Sequence, residues 1–468
     1  MLFNSFIFLG LVFLTFILYY LPFLSKFQIS ILIISSLVFY AFNQPILVLL
    51  LLFSVSINIV SSYFIVYGND KYKKAYAIAG VVLNLSILLF FKYSPLFSKT
   101  FFKESSSIGE FLLNMPLPIG ISFFTFQGIS LVVDIYKEKY FNNKDIVPKS
   151  FLKHSERVLF FKGFFPQLIS GPIVKAHDFI PQIGKKQMNQ IKWEPFFKNI
   201  ITGYFLKMVV ADNLKDFTFW IAFPYFQGQS SITLLVMLFG YSIQIFADFA
   251  GYSLIAIGLA KLFGYDFNDN FNFPYISTSF KEFWKRWHIS LSTFLMEYLY
   301  IPLGGNKKGK IRTYINLMIV MFLGGLWHGA AWSYAIWGSF HGLALALERF
   351  FSDKIIVKTT QFTKFIKFLL VFGFVTLAWL LFKLPNIEHV VEYIRCIFNN
   401  FRIGIDIKKA IYILLYSSPV IAYHVLYLLK KRSKYESFFK YDYILYGIML
   451  FLIIFNSGSS GAFIYFQF

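Results

Sequence analysis

The feature that most restricts how this chain can fold is an apolar run, close to the length of a membrane-crossing helix, that recurs throughout. About 20 helical residues cross a hydrocarbon core of ~30 Å, and runs near that length recur from one end of the 468-residue sequence to the other. They lack the ten-residue alternation of barrel strands, and within lipid only helices or closed barrels satisfy the backbone. The sequence therefore predicts an all-α, polytopic integral membrane protein. Composition agrees, since 57% of residues are apolar, 22% aromatic and 14% charged, against about 25% charged in soluble domains. A net charge of +21 would suggest a nucleic-acid ligand in a soluble protein. Here Lys and Arg cluster in short stretches between apolar runs, the pattern of positive-inside signals meeting anionic lipid headgroups, so no nucleic-acid partner is expected. The single cysteine, Cys396, leaves neither an internal disulfide nor a cysteine-based metal site.

The first run, Phe6 to Leu24, has no basic residue before it and no small-residue cleavage site behind it, so it reads as a retained helix. Lys26 follows the first helix and Lys71, Lys73 and Lys74 the third, which places both basic sites on one side if the amino terminus lies outside. A fourth span, Ala75 to Phe91, leads to a loop around Lys103 and Ser105. A fifth, Phe111 to Tyr136, is broken at Leu117-Pro118-Ile119-Gly120 and delivers the chain to a long basic, cytoplasmic segment, Lys137 to Arg157. Between Phe160 and Pro181 the helix breakers Gly163, Pro166, Gly171 and Pro172 predict a re-entrant or buried irregular piece. Phe196 to Phe219 mixes Lys198, Lys207, Asp212 and Lys215 with aromatic residues, which predicts an interfacial segment. Ser231 to Phe263 is long enough for a tilted span with Asp248 at its middle. Further spans run Phe365 to Leu381, Ile411 to Leu429 with a basic tail Lys430-Lys431-Arg432, and Tyr443 to Phe455. No internal repeat and no Gly/Ser-rich linker divides the sequence, so residues 1–468 read as one integral-membrane domain.

The residues that can carry chemistry concentrate between Phe283 and His341. Two histidines, His288 and His328, each follow a tryptophan and flank a basic glycine loop. On a continuous helix Lys281, Lys285, His288 and Ser292 form one polar stripe, and Phe283, Trp287, Leu291, Phe294 and Tyr298 an apolar one, which suits a helix along an interface or a wet cavity. The same spacing suits a surface helix whose His288 merely tolerates water. His328 lies in an apolar run with Gly324, Gly325 and Gly329 around it. If the loop Lys307 to Arg312 is cytoplasmic, a straight helix lifts His328 ~24 Å from Arg312. The basic cluster from Arg349 to Lys367 returns to the same side, so the chain must turn back near Trp327-His328-Gly329. Ionisable groups at such depth are functional by default, the alternative being a histidine bonded between helices.

Acyl transfer needs a base for a hydroxyl and a donor for the oxyanion, and two neutral histidines behind tryptophan walls can supply both. His341, further along, reads as structural. The loop Gly304-Gly305-Asn306-Lys307-Lys308-Gly309-Lys310 imitates a nucleotide phosphate loop, but Ile311 stands where Ser or Thr would hold magnesium and no strand precedes it. Lys307, Lys308, Lys310 and Arg312 suit either a positive-inside loop or a holder for the phosphates of a coenzyme A ester. Asp248 can orient a histidine, carry protons, or pair with a lysine to fix packing. No Gly-x-Ser-x-Gly elbow and no metal-type His/Glu spacing is present, so neither a serine hydrolase nor a metal site is expected.

These residues resemble the membrane-bound O-acyltransferase family, and within it the branch of alginate and peptidoglycan O-acetyltransferases. The resemblance rests on Leu117-Pro118-Ile119-Gly120-Ile121-Ser122-Phe123, Phe165-Pro166-Gln167-Leu168-Ile169-Ser170-Gly171-Pro172-Ile173, Phe246-Ala247-Asp248-Phe249-Ala250-Gly251-Tyr252-Ser253, both histidine motifs and the ending Phe463-Ile464-Tyr465-Phe466-Gln467-Phe468. It implies roughly ten or more transmembrane, re-entrant and interfacial helices around a central funnel, lined in part by the Gly171-Pro172 segment. It implies that His328 is essential for acyl transfer and that His288 is a second site residue; Asp248, Trp327 and Ser292, singled out from the residues themselves, are the supporting candidates. It further implies a cytoplasmic donor of the acetyl-CoA or other acyl-thioester type, an extracytoplasmic partner protein, and a polysaccharide acceptor, in a bacterial inner membrane. D-alanyl transferases of teichoic acid are near relatives of that branch, so the acyl group stays open, and a polytopic transporter or flippase is the competing class.

Overall fold

The computed structural model describes residues 1–42, 44–103, 106–168, 171–352, 360–430, 442–459 and 461. Ser105, Ile169, Ser170, Lys431, Arg432 and the ending from Phe463 to Phe468 lie outside the described residues. Every regular element among the described residues is helical. Among the described residues, six helices are long and apolar enough to cross a membrane: Pro22–Ala41, Leu47–Tyr67, Asp70–Phe101, Ser231–Leu262, Gln361–Lys383 and Ile407–Leu429. Two shorter apolar helices, Phe6–Tyr20 and Asp442–Phe455, accompany them. Their outward residues are large and apolar, Leu370 being 66% and Ile454 72% exposed, a surface suited to lipid. The chain is a polytopic, all-helical membrane protein, as its hydropathy requires.

The chain divides into two compact units, residues 1–200 with 255–268, and residues 201–254 with 269–468. In the first unit the Leu47–Tyr67, Lys73–Phe101 and Ile121–Lys137 helices pack together around polar pairs. Asn58 and Asn84 exchange amide hydrogen bonds of 3.1 Å, and Lys162 Nζ donates to Ser54 Oγ at 2.7 Å. Such bonds hold helices together where lipid supplies no hydrophobic drive between them. The expected break falls between the Ser107–Leu113 and Ile121–Lys137 helices, the latter starting from Gly120 at φ +78°. The Pro/Gly-rich stretch from Phe160 is buried and irregular, as anticipated. One-turn helices Phe165–Leu168 and Ala176–Phe179 follow the Phe151–Gly163 helix, and Phe179 stacks on Tyr265 at 5.2 Å within a phenylalanine cluster.

In the second unit, the centre of the segment expected to be interfacial is buried instead. Lys207 and Asp212 are both buried, and Lys207 Nζ reaches Asp212 at 2.6 Å and Asp248 at 2.8 Å. A spacing of five residues is out of register for pairing on an α-helix, where neighbours are three or four apart. The π-helical turn Phe205–Ala211 adds the residue that brings the two side chains together. Charges that look solvated in sequence are therefore neutralised internally, against the middle of the Ser231–Leu262 helix.

The Lys310–His328 and Trp332–Ser352 helices form the hairpin implied by the basic clusters at its two ends. They approach closely at Gly325 and Gly338. A methyl group on Gly338 would fall on the Met321 carbonyl and on Gly325 Cα, so the crossing admits only hydrogen at these positions, the use that membrane helix pairs make of small residues.

Candidate active site

His288 sits at a break in a helix and not along one. Ser279 caps the Phe280–Arg286 helix by accepting from Glu282 N, and Glu282 in turn accepts from Arg286 Nε at 3.0 Å. The helix then stops. Trp287 is extended, His288 adopts φ +43°, ψ +54°, and a new helix runs Ile289–Leu295. The polar stripe Lys281, Lys285, His288, Ser292 expected of a continuous interfacial helix is thus not formed, and His288 is fully buried.

A buried asparagine supplies the hydrogen bonds that the broken helix forfeits. Asn270 accepts from Ile289 N through its carbonyl at 2.9 Å, and its Oδ1 accepts from Ser290 N at 3.3 Å and Ser290 Oγ at 2.8 Å. Its Nδ2 donates to Ser253 Oγ at 3.1 Å, which ties the turn to the Ser231–Leu262 helix. A non-glycine residue held in a sparsely populated backbone region costs about 1–3 kcal/mol and persists only when its surroundings impose it. Asn270 is the residue that sequence reasoning missed. It lies in an ordinary polar loop, and no spacing or motif marks it.

His328 is the last residue of its helix, and Gly329 N closes the end on the Leu326 carbonyl at 3.2 Å. The hairpin turn brings its imidazole to 5.9 Å from that of His288, centroid to centroid. Aromatic rings enclose the pair. Phe249 meets His288 edge-on at 4.6 Å, Trp337 meets His328 at 5.2 Å and Phe382 meets it at 5.4 Å. Trp327 lies 5.7 Å from His288, so both expected histidines and their tryptophan wall converge. His288 is fully buried, and a neutral imidazole carries one donor and one acceptor.

A cavity of about 130 Å³ opens against His328, lined also by Ser292, Leu295, Met321, Gly324 and Trp337. Ser292 therefore belongs to the same site, although its hydroxyl lies 3.5 Å from the Trp287 carbonyl. His341 meets Trp337 edge-on at 4.9 Å, and the rings of Trp284 and Phe374 also meet it edge-on.

Two other groups of expected residues are placed differently. Asp248 forms the ion pair with Lys207 described above, which is the lysine-pairing alternative. Burial, opposed by Lys207, raises the neighbouring Asp212 carboxyl above the usual carboxylate range. Lys307, Lys308, Lys310 and Arg312 are exposed at the opposite end of the hairpin from His328. The Lys310–His328 helix sets them ~27 Å from it along the axis at ~1.5 Å per residue.

A family model described as membrane-bound O-acyltransferase matches residues 155–391, a range that holds His288, His328, Asp248 and Asn270. The chain is 37% identical over 348 residues to a peptidoglycan O-acetyltransferase of Helicobacter pylori, covering 70% of this chain and 65% of that protein. It is 36% identical over 317 residues to the probable alginate O-acetylase AlgI of Pseudomonas aeruginosa, covering 66% and 58%. It is 28% identical over 286 residues to a teichoic acid D-alanyltransferase of Bacillus subtilis, covering 58% and 70%. The first two matches thus span less than two thirds of those relatives' own length. The family match takes in just over half of the sequence: the chain belongs to the membrane-bound O-acyltransferase family.

Proposed function

We propose that this protein is a membrane O-acyltransferase that takes a small acyl group, acetyl in this reading, from a cytoplasmic thioester donor of the acetyl-CoA kind. It passes that group across a bacterial inner membrane, its amino terminus outside, for O-acetylation of an exported or cell-wall polysaccharide. An extracytoplasmic partner protein completes transfer to the sugar hydroxyls. The observation that carries this reading is the His288–His328 pair within one aromatic enclosure. His328 takes the proton of the attacking hydroxyl as its oxygen bonds to the thioester carbonyl carbon. The C–S bond then breaks and the proton passes to the departing thiolate, leaving an ester and a free thiol. His288 donates to the oxyanion in between.

The cavity beside His328, at about 130 Å³, suits a two-carbon group and leaves no room for a fatty chain. A D-alanyl group also fits, and the similarity to a teichoic acid D-alanyltransferase favours that as the second reading. Lys307, Lys308, Lys310 and Arg312 receive the donor's phosphates, which requires a donor whose long flexible arm bridges the distance to His328. Neutralising all four then raises the donor concentration needed for half-maximal rate.

Purified protein in liposomes, given radiolabelled acetyl thioester on one side and a hydroxyl acceptor on the other, tests the whole reading. The expected result is acetyl ester with stoichiometric free thiol. Label found only in D-alanyl ester when both thioesters are offered would select the second reading. Movement of an intact solute with no thioester cleaved would replace both with a transporter.

A further inference from the structure

Away from the histidine pair, the second unit holds a larger opening that acyl transfer does not use. It is a groove of about 690 Å³ between the Ser231–Leu262, Gln361–Lys383 and Ile407–Lys430 helices, within the range of about 300–1,000 Å³ usual for ligand pockets. Its walls are mainly apolar, with Phe239, Phe368, Phe372 and Ile421 among them. Along Gln361–Lys383 it runs from Gln361 to Phe372, ~17 Å at ~1.5 Å per residue. That is about half of a ~30 Å hydrocarbon core, the depth reached by a lipid tail of one leaflet.

Polar side chains also line it, Thr278, Gln361, Lys364 and His424 among them. Lys364 lines the groove from the first turn of its helix, where it is exposed and where the helix dipole also favours an anion. His424 lines it as well and is 5% exposed. Its Nδ1 donates to the Val420 carbonyl at 2.9 Å, which fixes Nε2 as the bare acceptor of the neutral ring. Nε2 is buried with no hydrogen-bond partner among the described residues, an arrangement that costs free energy unless a donor arrives. The apolar walls call for a hydrocarbon tail, the lysine for a phosphate, and the histidine for a hydroxyl.

We propose that this groove binds one tail of an anionic glycerophospholipid with free headgroup hydroxyls, phosphatidylglycerol in chemical terms, its phosphate at Lys364 and a hydroxyl at His424. The inference does not depend on the acyl-transfer reading. The groove nevertheless adjoins the site, since Tyr275 in its wall lies 6.0 Å from Trp287, the residue before His288.

The test uses the full chain in phosphatidylcholine nanodiscs with a photoreactive phosphatidylglycerol probe carrying a diazirine in its tail, and maps crosslinks by mass spectrometry. Crosslinks should fall on the Phe372 and Ile421 walls and be displaced by unlabelled phosphatidylglycerol. Lys364→Glu, at an exposed position, should reduce them about tenfold, in line with about 1 kcal/mol per basic residue at an anionic surface. Ile421→Trp should block the groove and abolish them, with thermal unfolding confirming the fold. Equal labelling by a phosphatidylcholine probe, displacement by inorganic phosphate, or labelling unchanged in the folded Lys364→Glu protein would overturn the proposal.

Discussion

The imidazoles of His288 and His328 lie 5.9 Å apart although they come from different helices and enter by different backbone devices. One sits at a helix break in left-handed conformation, the other at the last residue of a helix ahead of a hairpin turn. Neither position could bring its ring to the other on an unbroken helix. Two local irregularities of the chain thus converge on one pair of side chains.

The backbone of His288, at φ +43°, makes an inverted order of stability testable. Ala is ordinarily the better tolerated small residue, because Gly adds freedom to the unfolded chain. At this position His288→Gly should be the more stable of the two, by about 1 kcal/mol. Thermal unfolding of both variants in the same detergent checks it, and a more stable Ala variant would show that the turn is not strained.

Asn270 should act as a positioning residue. Asn270→Ala removes the acceptor of Ser290 N and Oγ and the donor to Ser253, at about 1–3 kcal/mol for the buried hydrogen bonds lost. Turnover should fall at least tenfold, in keeping with the sensitivity of a site to misplacement by about an ångström, while the donor concentration for half-maximal rate stays nearly constant. A purely structural role would lower the amount of folded protein and leave turnover per folded molecule intact.

At the hairpin crossing, Gly338→Ala drives a methyl group onto the Met321 carbonyl and Gly325 Cα. Backbone atoms cannot yield as a flexible side chain can, so the expected loss is about 1–3 kcal/mol or more, with activity lost in parallel as His328 moves. The open position Gly373, with nothing near its Cβ, is the control, and Gly373→Ala should keep or slightly raise stability and leave turnover unchanged.

For the buried ion cluster, Lys207→Met leaves Asp212 and Asp248 without their cation. The expected cost is about 3–5 kcal/mol, that of stranding a buried charge. Asp248→Asn should cost less, because Lys207 still holds Asp212 at 2.6 Å. Unfolding curves of the two variants give the order, and a Lys207→Met protein as stable as the parent would show that the carboxylates take up protons at little cost.

Much of this architecture was legible because lipid imposes strict rules. Apolar runs anticipated most of the spanning helices, although those from Phe6, Phe111 and Tyr443 form helices shorter than a span; the Pro/Gly-rich stretch after Phe160 announced its irregularity, and two basic clusters implied that the chain turns back near His328. What stayed hidden depended on registers that sequence periodicity takes for granted. The stripe through His288 presumed a continuous helix, and the break is stabilised by Asn270, a residue without any motif. Lys207 and Asp212 looked solvated because five residues do not face one another on an α-helix, and only the π turn makes them partners. Cavity size and the 5.9 Å approach of the histidines arise from packing between helices, which no single stretch of sequence encodes.

The account stands most directly on His328. Acetyl transfer from labelled thioester to a hydroxyl acceptor, measured with purified His328→Ala protein whose unfolding temperature matches the parent, should fall by about 10²–10⁴, the usual contribution of a positioned base. Transfer at the parental rate by that folded variant would contradict the assignment of His328 as the base, and with it the reading of the histidine pair as the reactive centre.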